Sequence, residues 1–586
     1  MDYKALADYL FPQITKTPED YEKEYPMRTT DMDGNALPEG AKVTRLAPSP
    51  TGFIHLGNLF GALADERIAH QSGGICFLRV EDTDEKREVE GAIPVLLDTL
   101  SYFGINFDEG ACKVPENAKI EKSADGSEEF YVADGEKHII RDGASERGAY
   151  GPYWQSARSD IYKACVKYLV AKGMAYPCFM TEEEIAEIRK EQEAQKLNPG
   201  IYGKYAKCRD LSFEEIKAKI EAGESYVIRF RSNGDESKYF TCYDEIRGDI
   251  SMPENVQDVV ILKKNDLPTY HFAHVVDDHL MHTSHVVRGE EWMASLPIHV
   301  QLFDAMGWEH PVYCHNTVLM KIDEESGQKR KLSKRKDPEL GLSYYKELGY
   351  FPEAVREYLM TILCSDYEEW RIANPYADYN EFKFSAEKMS DSGTLFDLNK
   401  LNDVSKDVLA KKSADEIYDF VLGWANEYDA GKAKLISENK DLLLKVFDID
   451  RGGDKPRKDL IFAGQIFEFV KYFFDNYFVY ENEWPAEVSK EDRKAVLQKY
   501  IESYNSADDN SAWFEKVRAI TDELGYAVKP KDFKKEPDKY KGHVGHISSV
   551  IRVAITGRSN SPDLWTIQQI MGPEMVKRRI EKALNE

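Results

Sequence analysis

The sequence predicts an α/β fold in which a doubly wound parallel sheet carries an insertion and gives way to a mainly α-helical region. Three observations predict it. Strand-like Val43-Thr44-Arg45-Leu46-Ala47 enters a proline–glycine turn and a helical apolar pattern, and a second strand and helix follow at once. A long stretch of mixed pattern separates this half from the strand-like His285-Val286-Val287-Arg288. Beyond about Gly349 the residues are mostly helix formers. Alternating strand and helix in the first half is the order of a Rossmann-like domain.

The first 40 residues read as an extension that closes on the turn-rich Asp33-Gly34-Asn35 and Pro38-Glu39-Gly40. After the Pro48–Gly52 turn, Leu56, Leu59, Phe60, Leu63, Arg67 and Ile68 recur at helical spacing to about His70. Ile75-Cys76-Phe77-Leu78-Arg79-Val80 is the second strand, ending in Glu81-Asp82-Thr83-Asp84, and a helix follows over about Glu88–Phe103. Residues 108–150 are polar and glycine-rich without periodicity, which reads as a surface excursion. Helices are expected over Arg158–Lys172 and Thr181–Lys196, and strands over Tyr226–Arg231 and Val256–Leu262. Pro268–Ala273 and His285–Arg288 then read as a return to the sheet.

At 586 residues the chain exceeds what one core organises, so about three to five domains are expected. With 42% hydrophobic and 31% charged residues it is a folded globular chain rather than a disordered one. No apolar run approaches the roughly 18 residues that span a bilayer, so no membrane partner is expected. Met1–Thr30 lacks a basic start and an apolar stretch, which excludes a secretory signal. Its eight cysteines are scattered, which suits free thiols in a reducing compartment and makes cytoplasm the expectation. A net charge of −26 argues at first sight against a nucleic-acid partner, but phosphate contact depends on local patches.

Two segments carry chemistry. Pro48-Ser49-Pro50-Thr51-Gly52-Phe53-Ile54-His55-Leu56-Gly57-Asn58 opens a helix, whose unpaired N–H groups and dipole suit a triphosphate. His55 could donate to a phosphate oxygen, and Gly57 would let a flat base approach the backbone. A proline-capped helix start with a surface histidine is the equal alternative. Lys329–Lys336 has six bases in eight positions. It reads either as a solvated, nucleic-acid-binding patch or as a mobile lysine loop that closes on departing pyrophosphate.

Together, a His-x-Gly turn, an insertion and a Lys-x-Ser-Lys loop about 275 residues later resemble the signatures of class I aminoacyl-tRNA synthetases. The wording is closer still. Arg45–Gly52, Arg79–Asp84, Gly151–Ser156, Pro268–His271, Val275–His279, Arg288–Glu291 and Lys331–Arg335 resemble, in order, glutamyl-tRNA synthetases of the bacterial type. The likeness covers about residues 42–410 and returns at Ile551–Gly557.

The resemblance implies a catalytic domain over 42–157 and 268–312, after an N-terminal extension over 1–41. It implies an inserted acceptor-binding domain over 158–267, a stem-contact domain over 313–412 and an anticodon-binding domain over 413–586. It implies ATP-dependent formation of glutamyl-adenylate and transfer to the 3′-terminal adenosine of tRNA(Glu), with tRNA(Gln) left open as a second acceptor. L-glutamate would be held by Arg45 (side-chain carboxylate), Arg288 (α-carboxylate), Glu81 (ammonium), Ala47, Ser49, Tyr270 and His274. ATP would meet Thr51, His55, Gly57, Glu291, Met320, Lys331, Ser333 and Lys334, with Mg²⁺ accompanying it. His55, Gly57 and Lys334 are the expected catalytic group, in a monomer.

Two positions depart from the family's pattern. Asn58 stands where the signature has a second histidine. His274 stands where relatives carry asparagine, which predicts glutamate binding sensitive to pH near neutrality. The family's four-ligand zinc position reads Cys178-Phe179-Met180 and Cys208-Arg209-Asp210 here, with only two thiolates, so no zinc is expected. Arg552, Arg558 and Trp565 are candidate tRNA contacts and equally candidate structural residues. A glutaminyl-tRNA synthetase is the nearest alternative, disfavoured by Ala47-Pro48-Ser49-Pro50. A non-catalytic tRNA-binding paralogue or a small-molecule adenylyltransferase is disfavoured by the intact signatures and the long helical C-terminal region.

Overall fold

The computed structural model describes residues 1–52, 54–84, 86, 88–133, 135–451 and 456–585. Phe53 of the first signature therefore lies outside the described residues. The chain forms two compact units, one of Met1–Leu342 with Leu359–Asp397, the other of Ser343–Tyr358 with Leu398–Glu586.

The first unit is built on parallel strands β1 (Val43–Leu46), β2 (Ile75–Leu78) and β3 (Glu109–Lys113), separated by helices α1 (Leu56–Gln71) and α2 (Ala92–Tyr102). After the insertion come helix α3 (Tyr270–Leu280), strand β4 (His285–Gly289), helix α4 (Leu296–Met306) and strand β5 (Val312–Asn316), with β4 and β5 parallel. Ser284, just before β4, donates its N–H to Val43 O at 2.9 Å and sets β4 beside β1. The spatial order β3-β2-β1-β4-β5 is doubly wound, with its reversal between β1 and β4, and ligands bind at such a switch point. β2 is buried along its whole length, as a central parallel strand covered on both faces should be.

Three expectations are corrected. The 108–150 segment is a surface excursion only in its middle: it starts with β3, a sheet strand, Ala144–Arg147 returns antiparallel to it, and a mostly exposed antiparallel sheet over 121–140 lies between them. Its glycines misled the reading, because Gly110 has φ +98° and a Cβ there would collide with the Leu78 backbone of β2. The segment 268–273 is no strand but the start of α3, whose short apolar run fits either element. The N-terminal 41 residues are not an appendage, because Leu6, Phe11, Ile14 and Tyr21 share a core with Ile161, Val166 and Phe272. Buried Arg28 pairs with Glu109 at 2.7 Å and donates from Nε to Met281 O at 2.9 Å, tying the start of β3 to the end of α3.

Among its described residues the second unit is helical throughout, without a strand. Val421, Val446, Ile466, Val517, Val550, Ile551 and Ile567 lie in its core. Arg552 donates to Ser561 O at 2.8 Å, Arg558 pairs with Glu481 at 2.7 Å, and Trp565 donates to Asp508 O at 3.0 Å. All three former candidates for tRNA contact have structural partners. No helix among the described residues is long and apolar enough to cross a membrane.

Candidate active site

At the C-terminal ends of β1 and β4 lies a cavity of about 400 Å³ whose wall includes Arg45, Ala47, Ser49, Glu81, Tyr270 and Arg288. His55, Gly57, Glu291 and Lys331 line the same space. A second recess of about 250 Å³ is lined by the Pro48–Gly52 turn, His55, Asn58 and Lys334. The chain just beyond the second signature also meets the first in the backbone: His55 forms a β-bridge with Gly341, and Leu342 donates to Ile54 O at 3.4 Å.

His55 is the N-cap of α1. Its Nδ1 accepts from Asn58 N at 3.2 Å, and Asn58 Oδ1 accepts from His55 N at 3.0 Å. This reciprocal cap gives Asn58 a structural task, and it places the remaining ring proton on Nε2 as a donor. Burial, helped by nearby Lys334 and Lys331, lowers the His55 pKa and keeps the ring neutral. A Cβ at Gly57 would lie 3.0 Å from His55 Nδ1, so glycine there preserves the ring's position.

Two adjacent carboxylates on α3 organise the floor. Asp278 accepts from Arg45 Nε at 3.1 Å and from Arg79 Nη1 at 2.7 Å, and lies 2.5 Å from His274 Nδ1. Asp277 holds Arg158 at 2.7 Å, Tyr162 at 2.8 Å and Gln155 at 2.9 Å. Gln155 belongs to the Gly151–Ser156 motif, which is stitched to the Arg79–Asp84 motif by Val80 N to Tyr153 O at 2.8 Å and Ser156 Oγ to Asp82 at 2.5 Å. The pairing through Nε directs the rest of the Arg45 guanidinium to the cavity.

The Glu81 side chain is only 10% exposed, and desolvation raises its pKa to about 7 despite Arg79 and Arg45 nearby. Asp65 on α1 lines the cavity with neither carboxylate oxygen hydrogen-bonded, and burial raises its pKa well above the usual range. Trp292 packs on Tyr270 with ring centroids 4.1 Å apart. Sequence reasoning missed Asp65, Trp292 and the organising role of Asp278. Two acids flanked by valines and a leucine in Val275–Leu280 were the signal for the last of these, because charge in an apolar helix needs buried partners.

Three expected contacts do not reach either cavity. His274 is fully buried beneath the wall, with Nε2 3.0 Å from Tyr313 Oη, and burial lowers its pKa to about 3. That corrects the expectation that it titrates near neutrality. Met320 lies on strand β6 (Leu319–Ile322), where alternation turns Leu319 to the cavity and Met320 towards Gly393. Ser333 donates its backbone N–H to Asp337 at 2.8 Å. The basic run is also less loop-like than it reads: Lys329–Lys331 is strand β7, antiparallel to β6, and Leu332 is buried. Arg330 faces inward to Asp337 at 2.6 and 2.8 Å, while Lys331 and Lys334 face the site. At the zinc position Cys178 and Cys208 are buried, and Asp210 is solvent-facing and paired with Arg231 at 3.3 Å.

Residues 42–403 match the catalytic domain of tRNA synthetases class I (E and Q), and residues 460–584 match an anticodon binding domain. The chain is 56% identical to a glutamate–tRNA ligase of Acetivibrio thermocellus and 39% identical to one of Sorangium cellulosum, covering all of the first and 98% of the second. These alignments take in 100% and 97% of the present chain. A crystal structure of a glutamate tRNA ligase from Elizabethkingia meningosepticum in complex with its amino acid superposes with a TM-score of 0.68 at 25% identity, over 93% of this chain and 99% of that one. The chain thus belongs to the bacterial-type glutamyl-tRNA synthetases of class I.

Proposed function

We propose that the larger cavity takes L-glutamate and the nucleoside of ATP, and that the recess between His55 and Lys334 takes the phosphates. The reading is supported above all by one observation: the two signatures, far apart in sequence, line one recess beside a cavity whose wall carries the Arg45 and Arg288 guanidinium groups and the Glu81 carboxyl. Arg45 pairs with the side-chain carboxylate, Arg288 with the α-carboxylate and Glu81 with the ammonium group, with Ala47, Ser49 and Tyr270 completing the walls. The α-carboxylate oxygen attacks the α-phosphorus and pyrophosphate leaves, giving glutamyl-adenylate. The terminal ribose hydroxyl of tRNA(Glu) then attacks the acyl carbon and releases AMP. His55 Nε2–H and the Lys334 ammonium stabilise charge that grows on the phosphates, so catalysis is placement plus electrostatics. Thr51, Gly57, Glu291 and Lys331 position ATP. Mg²⁺ enters with the nucleotide, held mainly by phosphate oxygens and water. Two thiols with a thioether and a solvent-facing carboxylate do not make a structural zinc site, and one equivalent of zinc per chain on metal analysis would overturn that.

Residues 413–586 read the anticodon, with the inserted domain at the acceptor end, in a cytoplasmic monomer. Eight unbridged cysteines support a reducing compartment. Arg45 shares the single Asp278 charge with Arg79 and so keeps part of its own, which a neutral glutamine side chain would leave uncompensated, so glutamine is rejected. The test is aminoacylation of purified tRNA(Glu) and tRNA(Gln), offering glutamate and glutamine separately. Glutamate should load on tRNA(Glu), whereas loading of glutamine would sink the pocket assignment.

The Glu81 carboxyl gives a pH prediction. Above pH about 7 it is ionised and attracts the substrate ammonium; below, it is protonated and does not. Bound ammonium favours the ionised form, so at low pH binding must expel a proton. KM for glutamate should rise by up to about tenfold per pH unit below 7, and Glu81→Gln should flatten that slope. A wild-type KM constant from pH 6 to 8 would refute the assignment.

A further inference from the structure

Arg288 is held by neutral imidazoles rather than by a carboxylate. Its Nε–H donates to His315 Nε2 at 3.0 Å, and Nη1 donates to His299 Nδ1 at 3.0 Å and to Tyr270 Oη at 3.4 Å. Accepting from a guanidinium fixes both tautomers. The His315 proton sits on Nδ1, 2.7 Å from Asp244 Oδ2, and the His299 proton sits on Nε2, 3.0 Å from His271 Nδ1. Asp244 is fixed in turn by the N–H groups of Ile246 and Arg247, both at 3.0 Å. His299 and His315 are fully buried, and burial lowers the pKa of each, so neither carries the second proton that would stop it accepting.

Arg288 thereby differs from the two other guanidinium groups at the site. Arg45 and Arg79 are both ion-paired with Asp278. Among the described residues no carboxylate pairs with Arg288, and its Nη2 is buried without a hydrogen-bond partner. A carboxylate acceptor would have fixed the guanidinium plane and cancelled its charge. An imidazole acceptor fixes the plane and leaves the charge available.

We infer that His299 and His315 are positioning residues that aim Arg288 at the substrate's carboxylate while leaving its charge uncompensated. Asp244 holds the His315 tautomer from behind. This rests on the proposed role of Arg288 in binding glutamate. It also explains a histidine-rich wall that neither the phosphate chemistry nor the carboxylate floor uses.

The test is steady-state aminoacylation by the full-length enzyme with saturating tRNA(Glu), measuring KM for glutamate and for ATP separately. His299→Leu removes the acceptor and should raise KM for glutamate about tenfold or more, as loss of a hydrogen bond to a charged group implies, with KM for ATP unchanged. His299→Gln keeps a neutral acceptor and should stay near wild type. His299→Glu keeps an acceptor but neutralises Arg288, and should raise KM for glutamate. The comparison of Gln with Glu decides the matter even where the leucine variant folds poorly; equal glutamate KM values in those two variants would overturn the inference. Arg288→Ala is measured in parallel. If it raises KM for glutamate while the histidine variants do not, positioning is wrong and the arginine's role stands. If it leaves KM unchanged, both fall.

Discussion

Replacing Lys334 with alanine is expected to slow glutamate activation by about a hundred- to a thousandfold, the usual cost of removing one preorganised donor from a developing charge. Lys334 lines the recess that His55 also lines, and its side chain is outside the glutamate cavity. Its ammonium group meets the phosphates most strongly when pyrophosphate charge builds up, so the loss belongs in the rate of the chemical step. KM for glutamate should change by no more than about twofold, because ground-state contacts with the amino acid are untouched. Lys334 is exposed, so folding should not be disturbed. Single-turnover aminoacylation with tRNA present separates the two steps, and an unaltered rate would remove Lys334 from the proposed mechanism.

The contrast between Lys334 and its neighbours shows what the sequence could disclose. The structure sets Lys331 on the larger cavity and Lys334 on the recess, whereas charge density alone left Lys329–Lys336 open between a solvated loop or nucleic-acid-binding patch and a lysine loop on pyrophosphate. Nor could charge density separate these two lysines from Arg330, whose guanidinium is absorbed by Asp337 and Asp323 to hold the segment in place. The order of strands and helices around Arg45–Asp84 was legible because turn chemistry and apolar periodicity are local. β3 was not, because its identity depends on Gly110 fitting against Leu78 across the sheet. For the same reason Asn58 read as a departure from a motif, whereas its work is to cap the helix that His55 opens. His274 read as a pocket residue because sequence shows which residue type is present but not how deeply it is buried. Local pattern carried the fold, and long-range burial decided which charges were free for substrate.

Asp278→Asn should produce the largest structural effect of any single change at the site. The carboxylate is fully buried between Arg45, Arg79, His274 and Thr283, with contacts from 2.5 to 3.3 Å. Attraction to the two arginines depresses its pKa well below the usual carboxylate range, against the desolvation that opposes ionisation. A depressed pKa means stability that is present above the unfolded value and is lost only as pH falls through the folded one, so at neutral pH the whole contribution is in force. Removing the charge leaves Arg45 without its acid partner and Arg79 with only Asp277 at 3.8 Å and Glu81 at 3.5 Å. Breaking a buried pair in this way typically costs about 3–5 kcal/mol. The unfolding transition of the catalytic unit, followed in urea at pH 7, should move down by that amount, and the surviving folded enzyme should bind glutamate more weakly because Arg45 loses its orientation. Thr283→Val, which removes one charge-assisted hydrogen bond at 3.0 Å to the same carboxylate, should cost less, about 1.5–3 kcal/mol. Were the asparagine variant as stable as wild type with an unaltered KM for glutamate, Asp278 could not be the anchor that sets the Arg45 guanidinium against the substrate.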